Sequence, residues 1–246
     1  MSDLFPEMSL HNVNWIKEKP IAHRGLHNAQ QGVYENTLSA TNAAIDAGYN
    51  IEVDLHISAD KVPIVFHDLT LDRLTERSGS VRDLTMAELS QISIMGTKDK
   101  IPSLNEFLDL VNGQVGVVLE LKGHEDEAQD IGFIKAVATA LEKYPGDAAI
   151  MSFDHHLLKD ARKLAPHLPL GLTAYMDNSA YETHLNIAQT CDVDFISYEL
   201  ANLDSKFVKV FKKSDRPVIS WTVKNTEDLA MSNKFADQPT FEGFRP

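Results

Sequence analysis

The sequence predicts an α/β chain built on a largely parallel sheet, a TIM-type (β/α)8 barrel with some irregularity, and three observations lead there. Short apolar, β-branched runs alternate with amphipathic stretches along most of the chain, as happens when each crossover helix returns the chain to lay down the next strand in the same direction. The length of 246 residues is close to the roughly 250 of an eight-stranded α/β barrel, which folds as one domain. The ten prolines are scattered rather than gathered into a linker, and no low-complexity tract or fixed-period repeat breaks the run. A single domain over 1–246 is therefore expected.

The elements follow in order. PIAHRG (20–25) is the first strand, and Asn36 is placed to cap a helix that carries Leu38, Thr41 and Ile45 near one face. NIEVDLHIS (50–58) and PIVFH (63–67) are the next strands, with only about five residues between them. A parallel crossover needs roughly a dozen, so these two are antiparallel neighbours or joined irregularly. The stretch 68–102, with SGS and several charges, reads as an insertion after the His67 strand carrying one short helix. Thr85 with Glu88, and Ser103 with Glu106, have capping-box spacing; the second precedes Leu104, Phe107, Leu108 and Val111, with Gly113 as the stop. QVGVVLELK (114–122), AAIMSF (148–153), LPLGLTA (168–174), VDFISYE (193–199) and PVISWTV (217–223) supply further strands. Helical periodicity fills the gaps: Ile131 to Leu141, Leu157 to Leu164, and Phe207 to Phe211 with its lysines on the solvated side.

Composition excludes several classes. Twenty-three Lys and Arg against 36 Asp and Glu leave a net charge of −13, which repels phosphate backbones and argues against nucleic acid or an anionic membrane as partner. The single cysteine, Cys191, removes disulfide scaffolds and zinc fingers. No basic segment leads into an apolar run at the start, and no 18 apolar residues stand together, so a cytoplasmic protein without a transmembrane segment is expected. An acidic chain can still hold a phosphate if an arginine, a lysine or a metal among carboxylates reverses the local sign.

The chemistry gathers at strand ends. In Ile51 to Ile57, strict alternation puts Glu52, Asp54 and His56 on one face and the apolar residues on the other. Alternation alone fits a half-solvated strand. A second strand repeats the pattern, however, with Gly116, Val118, Glu120 and Lys122 on one side and its charges at the C-terminal end. Ligands of α/β sheets bind at that end. Glu52, Asp54 and Glu120 then form a three-carboxylate site for one hard divalent cation, Mg²⁺ or Ca²⁺, with Lys122 beside it as a cation for phosphate. His23 with Arg24, and His67, close strands in the same way and are candidate proton carriers. His56 is a candidate supporting group, Phe153 and Trp221 are candidates for lining the pocket, and the remaining histidines read as surface, capping or core-edge residues.

These residues resemble the glycerophosphodiester phosphodiesterases, a family whose barrel is shared with phosphatidylinositol-specific phospholipases C. The resemblance lies in His23-Arg24-Gly25, Glu35-Asn36-Thr37, Glu52-Val53-Asp54, His67-Asp68 with Leu71, Arg73 and Thr75, Ile101-Pro102-Ser103-Leu104, Glu120-Leu121-Lys122, Ser152-Phe153 and Trp221-Thr222-Val223, in order over about 20–224. It implies a barrel, a divalent metal on Glu52, Asp54 and Glu120, His23 and His67 as acid/base pair, and Arg24 and Lys122 on the phosphate of a small diester. Glycerol 3-phosphate and an alcohol would be the products. The end of the chain departs from the pattern: Pro239 falls within the last strand, where it removes a ladder donor and predicts weakened closure, and Glu242 stands for the usual Asp. Rival readings of the same residues are a Schiff-base or isomerase barrel using Lys122 or Glu120, a lysophospholipase D, and a barrel that binds phosphoesters without catalysis.

Overall fold

The structure, a computed structural model, describes residue 5, residues 11–124 and residues 127–246. Its strands and helices in chain order are β1 (Ile21–His23), α1 (Leu38–Ala47), β2 (Asn50–Ile57), β3 (Pro63–Val65), α2 (Met86–Leu89), α3 (Leu104–Val111), β4 (Val117–Leu121), α4 (Asp130–Leu141), β5 (Ala148–Ser152), α5 (His155–Leu164), β6 (Leu170–Ala174), α6 (Tyr181–Thr190), β7 (Phe195–Glu199), α7 (Lys206–Phe211), β8 (Val218–Val223), α8 (Thr226–Phe235) and β9 (Gln238–Phe241). Strands β1, β2 and β4 to β9 pair in parallel in that order, and β1 pairs with both β2 and β9, so eight strands close on themselves as a TIM-type barrel. The ninth, β3, lies antiparallel on β2, which settles the short connection seen in the sequence.

Closure occurs in spite of Pro239. Pro239 stands level with Ser220, the register shifts between Ser220 and Val223, and Thr240 and Phe241 then pair with Ile21 and Ala22 of β1. The missing donor is absorbed where the ladder is already irregular, so the expected weakening does not open the barrel.

Side chains on the two faces of the sheet meet different partners. Outward residues such as Val53, Leu55, Val117 and Leu119 pack against the helices in the main core. Inside, Val118, Met151, Phe195 and Ile219 meet Trp15 and Ile16 from a 3-10 turn at Asn14–Lys17, which fills the N-terminal end of the barrel. A Cβ at Gly116 would lie 2.3 Å from the Trp15 ring, so this strand position must be glycine for the plug to seat. All of β2 is buried, and the half-solvated reading of its alternation does not hold. The segment after His67 carries the one short helix expected, α2, and builds its own apolar cluster from Ile64, Phe66, Leu71, Leu74, Val81, Leu89, Ile92, Ile94 and Ile101.

Both capping boxes are present, at Thr85 with Glu88 and at Ser103 with Glu106. The cap of α1 is Thr37 rather than Asn36. Asn36 adopts a left-handed backbone (φ 56°), and its amide instead donates to Asp54 Oδ2 at 2.9 Å. A turn residue next to a buried carboxylate is used there before it is used as a cap.

Candidate active site

The C-terminal end of the barrel holds a cavity of about 210 Å³ whose wall includes His23, Arg24, Glu52, Asp54, His67, Glu120, Lys122, Phe153 and Trp221. Every site residue expected from the sequence is brought together here. Period-2 alternation explains most of it, since Glu52 and Asp54 on β2 and Glu120 on β4 point inward at neighbouring levels, with Asp54 and Glu120 in register.

The three carboxylates each present an oxygen, and these oxygens lie within 4.8 Å of one another. Glu52 Oε1 is buried with no hydrogen-bond partner. Three buried carboxylates with an unsatisfied oxygen among them suit a hard cation and are poorly matched to soft or nitrogen-seeking metals. Burial, followed by repulsion from Asp54 and then Glu120, pushes the Glu52 carboxyl well above its ordinary range. Glu120 is raised to about 7, chiefly by burial, against the pull of Lys122. Asp54 goes the other way: Lys122 and Arg24 overcome its burial and hold it ionised. Lys122 Nζ binds Glu120 and lies 2.9 Å from Asp54 Oδ1. These acids repel one another unless cations are shared among them.

Arg24 is set by a sharp turn in which Arg24 and Gly25 both have positive φ, 57° and 79°. A Cβ on Gly25 would sit 2.8 Å from Ala40 Cβ, so glycine is required both for the turn and for the packing of α1. The turn aims the Arg24 backbone N–H at Glu52 Oε2 (3.0 Å) and puts Nε 3.3 Å from Asp54 Oδ2. Arg24 also donates to Glu35 at 2.7 Å, and Arg73 clamps Glu35 and Asp68 together.

The two histidines are held alike. His23 Nδ1 lies 2.6 Å from Glu242 Oε2, and His67 Nδ1 lies 2.7 Å from Asp68 Oδ1. A carboxylate on Nδ1 keeps the proton there and leaves Nε2 for the cavity. Burial lowers the His23 pKa below 6.5 despite Glu242, so its ring is neutral near pH 7. Glu242 stays ionised, held well below the usual carboxylate range first by His23 and then by His27 and Lys224.

Glu242 was visible in the sequence only as a departure from a motif, and its pairing with His23, 219 residues away, left no local trace. His56 is buried and touches the site indirectly: its Nε2 meets the His67 carbonyl at 3.0 Å, and burial with the Arg82 charge lowers its pKa to about 4. His124 and His156, expected to be without partners or on the surface, flank the fully buried Asp130 at 2.5 and 2.8 Å. Asp154 occupies the N-cap position of α5 without a side-chain cap bond; its carboxylate instead accepts from the Gly123 N–H at 2.8 Å. Phe153 and Trp221 meet edge to face with centroids 5.4 Å apart, and Tyr175 extends this wall at 6.1 Å from Phe153.

Comparison with known proteins places this geometry. The sequence profile described as "Glycerophosphoryl diester phosphodiesterase family" matches residues 23–238. A glycerophosphodiester phosphodiesterase of Caldanaerobacter subterraneus is 29% identical over 227 residues, covering 87% of this chain and 89% of that one. Among solved structures, an Oleispira antarctica phosphodiesterase in complex with the product sn-glycerol-3-phosphate superposes with a TM-score of 0.80 at 26% identity, over 91% of this chain and 92% of the other. A Thermotoga maritima glycerophosphodiester phosphodiesterase gives 0.73 at 25% identity, over 90% and 92%.

Proposed function

Because the chain belongs to the glycerophosphoryl diester phosphodiesterase family, whose members are phosphoric diester hydrolases, we propose that it hydrolyses small glycerophosphodiesters to glycerol 3-phosphate and an alcohol. In this reading the whole chain acts as one domain, with 68–102 an insertion in it. The observation that carries the reading is the single cavity that joins the Glu52, Asp54 and Glu120 cluster to two carboxylate-held histidines and to Arg24 and Lys122. The Oleispira relative, described with glycerol 3-phosphate bound, supports the same class of substrate.

Glu52, Asp54 and Glu120 would hold one Mg²⁺ or Ca²⁺, and the unsatisfied Glu52 Oε1 is the atom that most needs it. When bound, such an ion supplies positive charge against the phosphoryl oxygens and an anchor for substrate oxygen. Arg24 and Lys122 neutralise the nonbridging oxygens, offsetting the repulsion that a diester anion offers to a nucleophile. His23, its Nδ1 proton engaged by Glu242, takes a proton at Nε2 from the nucleophile, water or the substrate's own 2-hydroxyl. Glu242 steadies the imidazolium that forms. His67, whose Nδ1–H is engaged by Asp68, acts in its doubly protonated form: it gives its Nε2 proton to the departing oxygen and keeps the proton on Nδ1. Phe153 and Trp221 line the substrate side of the cavity.

A second reading, a diester whose alcohol carries an apolar chain, is favoured by one feature that the sequence did not show. A groove of about 930 Å³ adjoins the site across Trp221 and Thr222; Leu200, Ala201, Met231 and Phe235 give it an apolar strip, and Glu199, Asp204, Lys224, Glu227, Asp228 and Lys234 make the rest of its wall charged. Screening glycerophosphocholine, glycerophosphoethanolamine, glycerophosphoglycerol and lysophospholipids, with Mg²⁺ and with Ca²⁺, tests both readings. Release of glycerol 3-phosphate from the first three supports the small-diester reading, preference for the lipids supports the second, and inactivity on all of them overturns both.

A further inference from the structure

We propose that Arg82, acting through His56, is a positioning residue that sets the carrier of His67 against the carrier of Lys122; this rests on the roles given to His67 and Lys122 above. Arg82 lies in the insertion, on a 3-10 turn at Val81–Asp83 that Ser80 caps. One of its terminal nitrogens, Nη2, lies 2.8 Å from the Lys122 carbonyl, 2.7 Å from the Gly123 carbonyl and 3.0 Å from His56 Nδ1, so its two hydrogens are shared among three acceptors. The other ring nitrogen of His56, Nε2, lies 3.0 Å from the His67 carbonyl.

Donor chemistry fixes the direction of this chain. A guanidinium nitrogen only donates, so His56 Nδ1 must accept and the ring proton must sit on Nε2. From there it donates to the His67 carbonyl. The ring is buried, with 3% of its surface exposed, so water does not supply these bonds in its place.

The result is a bridge between the peptide that follows β3 and the peptide that follows β4. In the sheet the two segments are separated by β2, and neither pairs with the other. The β4 side is held from both directions: Arg82 takes the Gly123 carbonyl, and Asp154 Oδ2 takes the Gly123 N–H at 2.8 Å. A Cβ at Gly123 would come within 2.6 Å of that same Asp154 oxygen, so the residue is glycine where the clamp closes. The carriers of His67 and Lys122 are thus spaced by a link whose two side chains, Arg82 and His56, lie outside the wall of the cavity. Misplacing reacting groups by about 1 Å can cost on the order of 10²-fold in rate.

The test uses the full chain with Arg82→Met, His56→Leu, the double variant, and the conservative His56→Gln, whose amide can both accept and donate. Each is assayed on glycerophosphocholine and on a glycerophospho-nitrophenyl ester, whose leaving group needs no acid, with His67→Ala alongside. Arg82→Met and His56→Leu are expected to lower kcat on glycerophosphocholine about 10- to 100-fold, and by a smaller factor on the nitrophenyl ester. The double variant should lose little more than either single one, because both break one link. His56→Gln should recover most of the activity, and it reports even if His56→Leu fails to fold. Equal losses on the two esters, multiplicative losses in the double variant, or no recovery in His56→Gln would overturn the proposal. If His67→Ala itself shows no dependence on leaving group, it is the acid role of His67 that fails. If His67→Ala shows that dependence and Arg82→Met does not, the positioning role fails alone.

Discussion

Replacing Glu242 separates orientation from charge at His23. Its Oε2 lies 2.6 Å from His23 Nδ1, while Oε1 lies 2.8 Å from Lys224 Nζ. Glu242→Ala removes a hydrogen bond to an ionised acceptor, worth about 1.5–3 kcal/mol. At about 1.4 kcal/mol per decade of rate this is roughly a 10- to 150-fold loss of kcat. Glu242→Gln is expected to be no better, for a reason specific to this site. An amide NH₂ facing the Lys224 ammonium would set donor against donor, so Gln turns its carbonyl to Lys224 and its NH₂ to His23. Nδ1 must then accept, the ring proton moves to Nε2, and the lone pair that should take the nucleophile's proton is lost; a wrong tautomer of this kind costs up to about 10⁴ in a serine protease triad. Steady-state release of glycerol 3-phosphate from glycerophosphocholine gives kcat, and ¹⁵N chemical shifts of the His23 ring report its tautomer. Lys224, 60% exposed, serves as control: Lys224→Met should change kcat little. An Ala variant within threefold of the parent, or a Gln variant more active than the Ala variant, would refute the reasoning.

Other outcomes follow from the same geometry. His67→Ala should lower kcat about 10²- to 10⁴-fold on an ester with a poor leaving group and far less on a nitrophenyl ester, and equal losses would contradict its acid role. Dialysis against EDTA should abolish activity and Mg²⁺ or Ca²⁺ should restore it; added cation should also raise the Tm of the stripped protein but not of Glu52→Gln, and full activity in EDTA would remove the metal from the mechanism. Asp68 is held at about 2, first by its bond from Arg73 and then by His67, against an ordinary 3.8. A folded value below the unfolded one means stability that is complete above pH 3.8 and is lost as pH falls towards 2; after screening this is about 1 kcal/mol, so acid unfolding of Asp68→Asn should lose that part of its slope. Trp221→Ala should raise KM more than it lowers kcat, and most for diesters bearing apolar chains; an unchanged KM would place Trp221 in barrel packing only.

Legibility in the sequence tracked the range of the interaction. Glu52, Asp54, Glu120 and Lys122 could be found because a strand's period of two assigns each side chain a face, and strands of a parallel sheet end at the same level. The capping boxes at Thr85 and Ser103 were legible because a cap and its partner lie three residues apart. Asn36 misled because one residue type serves both caps and carboxylates, and only the nearness of Asp54 decides between them. The pairing of Glu242 with His23, the Arg82 bridge, and the place of Asp130 between His124 and His156 could not be seen. Each is defined by a partner brought close by barrel closure or by an irregular segment, and neither leaves a periodic signal. Pro239 was read correctly as a lost donor, but the register shift that absorbs the loss belongs to the neighbouring strand.

The seam between β9 and β1 also sets a clock. His23 lies at one edge of it and Glu242 just beyond the other, 219 residues later in the chain. At roughly 5–20 residues per second, synthesis takes about 10–40 s to travel from one to the other. From Glu120 onward a nascent chain contains His23, the three carboxylates and His67, yet has no Glu242 for His23 Nδ1 and no strand to shut the barrel beside it. Hydrolytic competence on this account arrives late and all at once, when the last strand clears the ribosome, and a truncated product lacking β9 should bind cation while turning over little substrate.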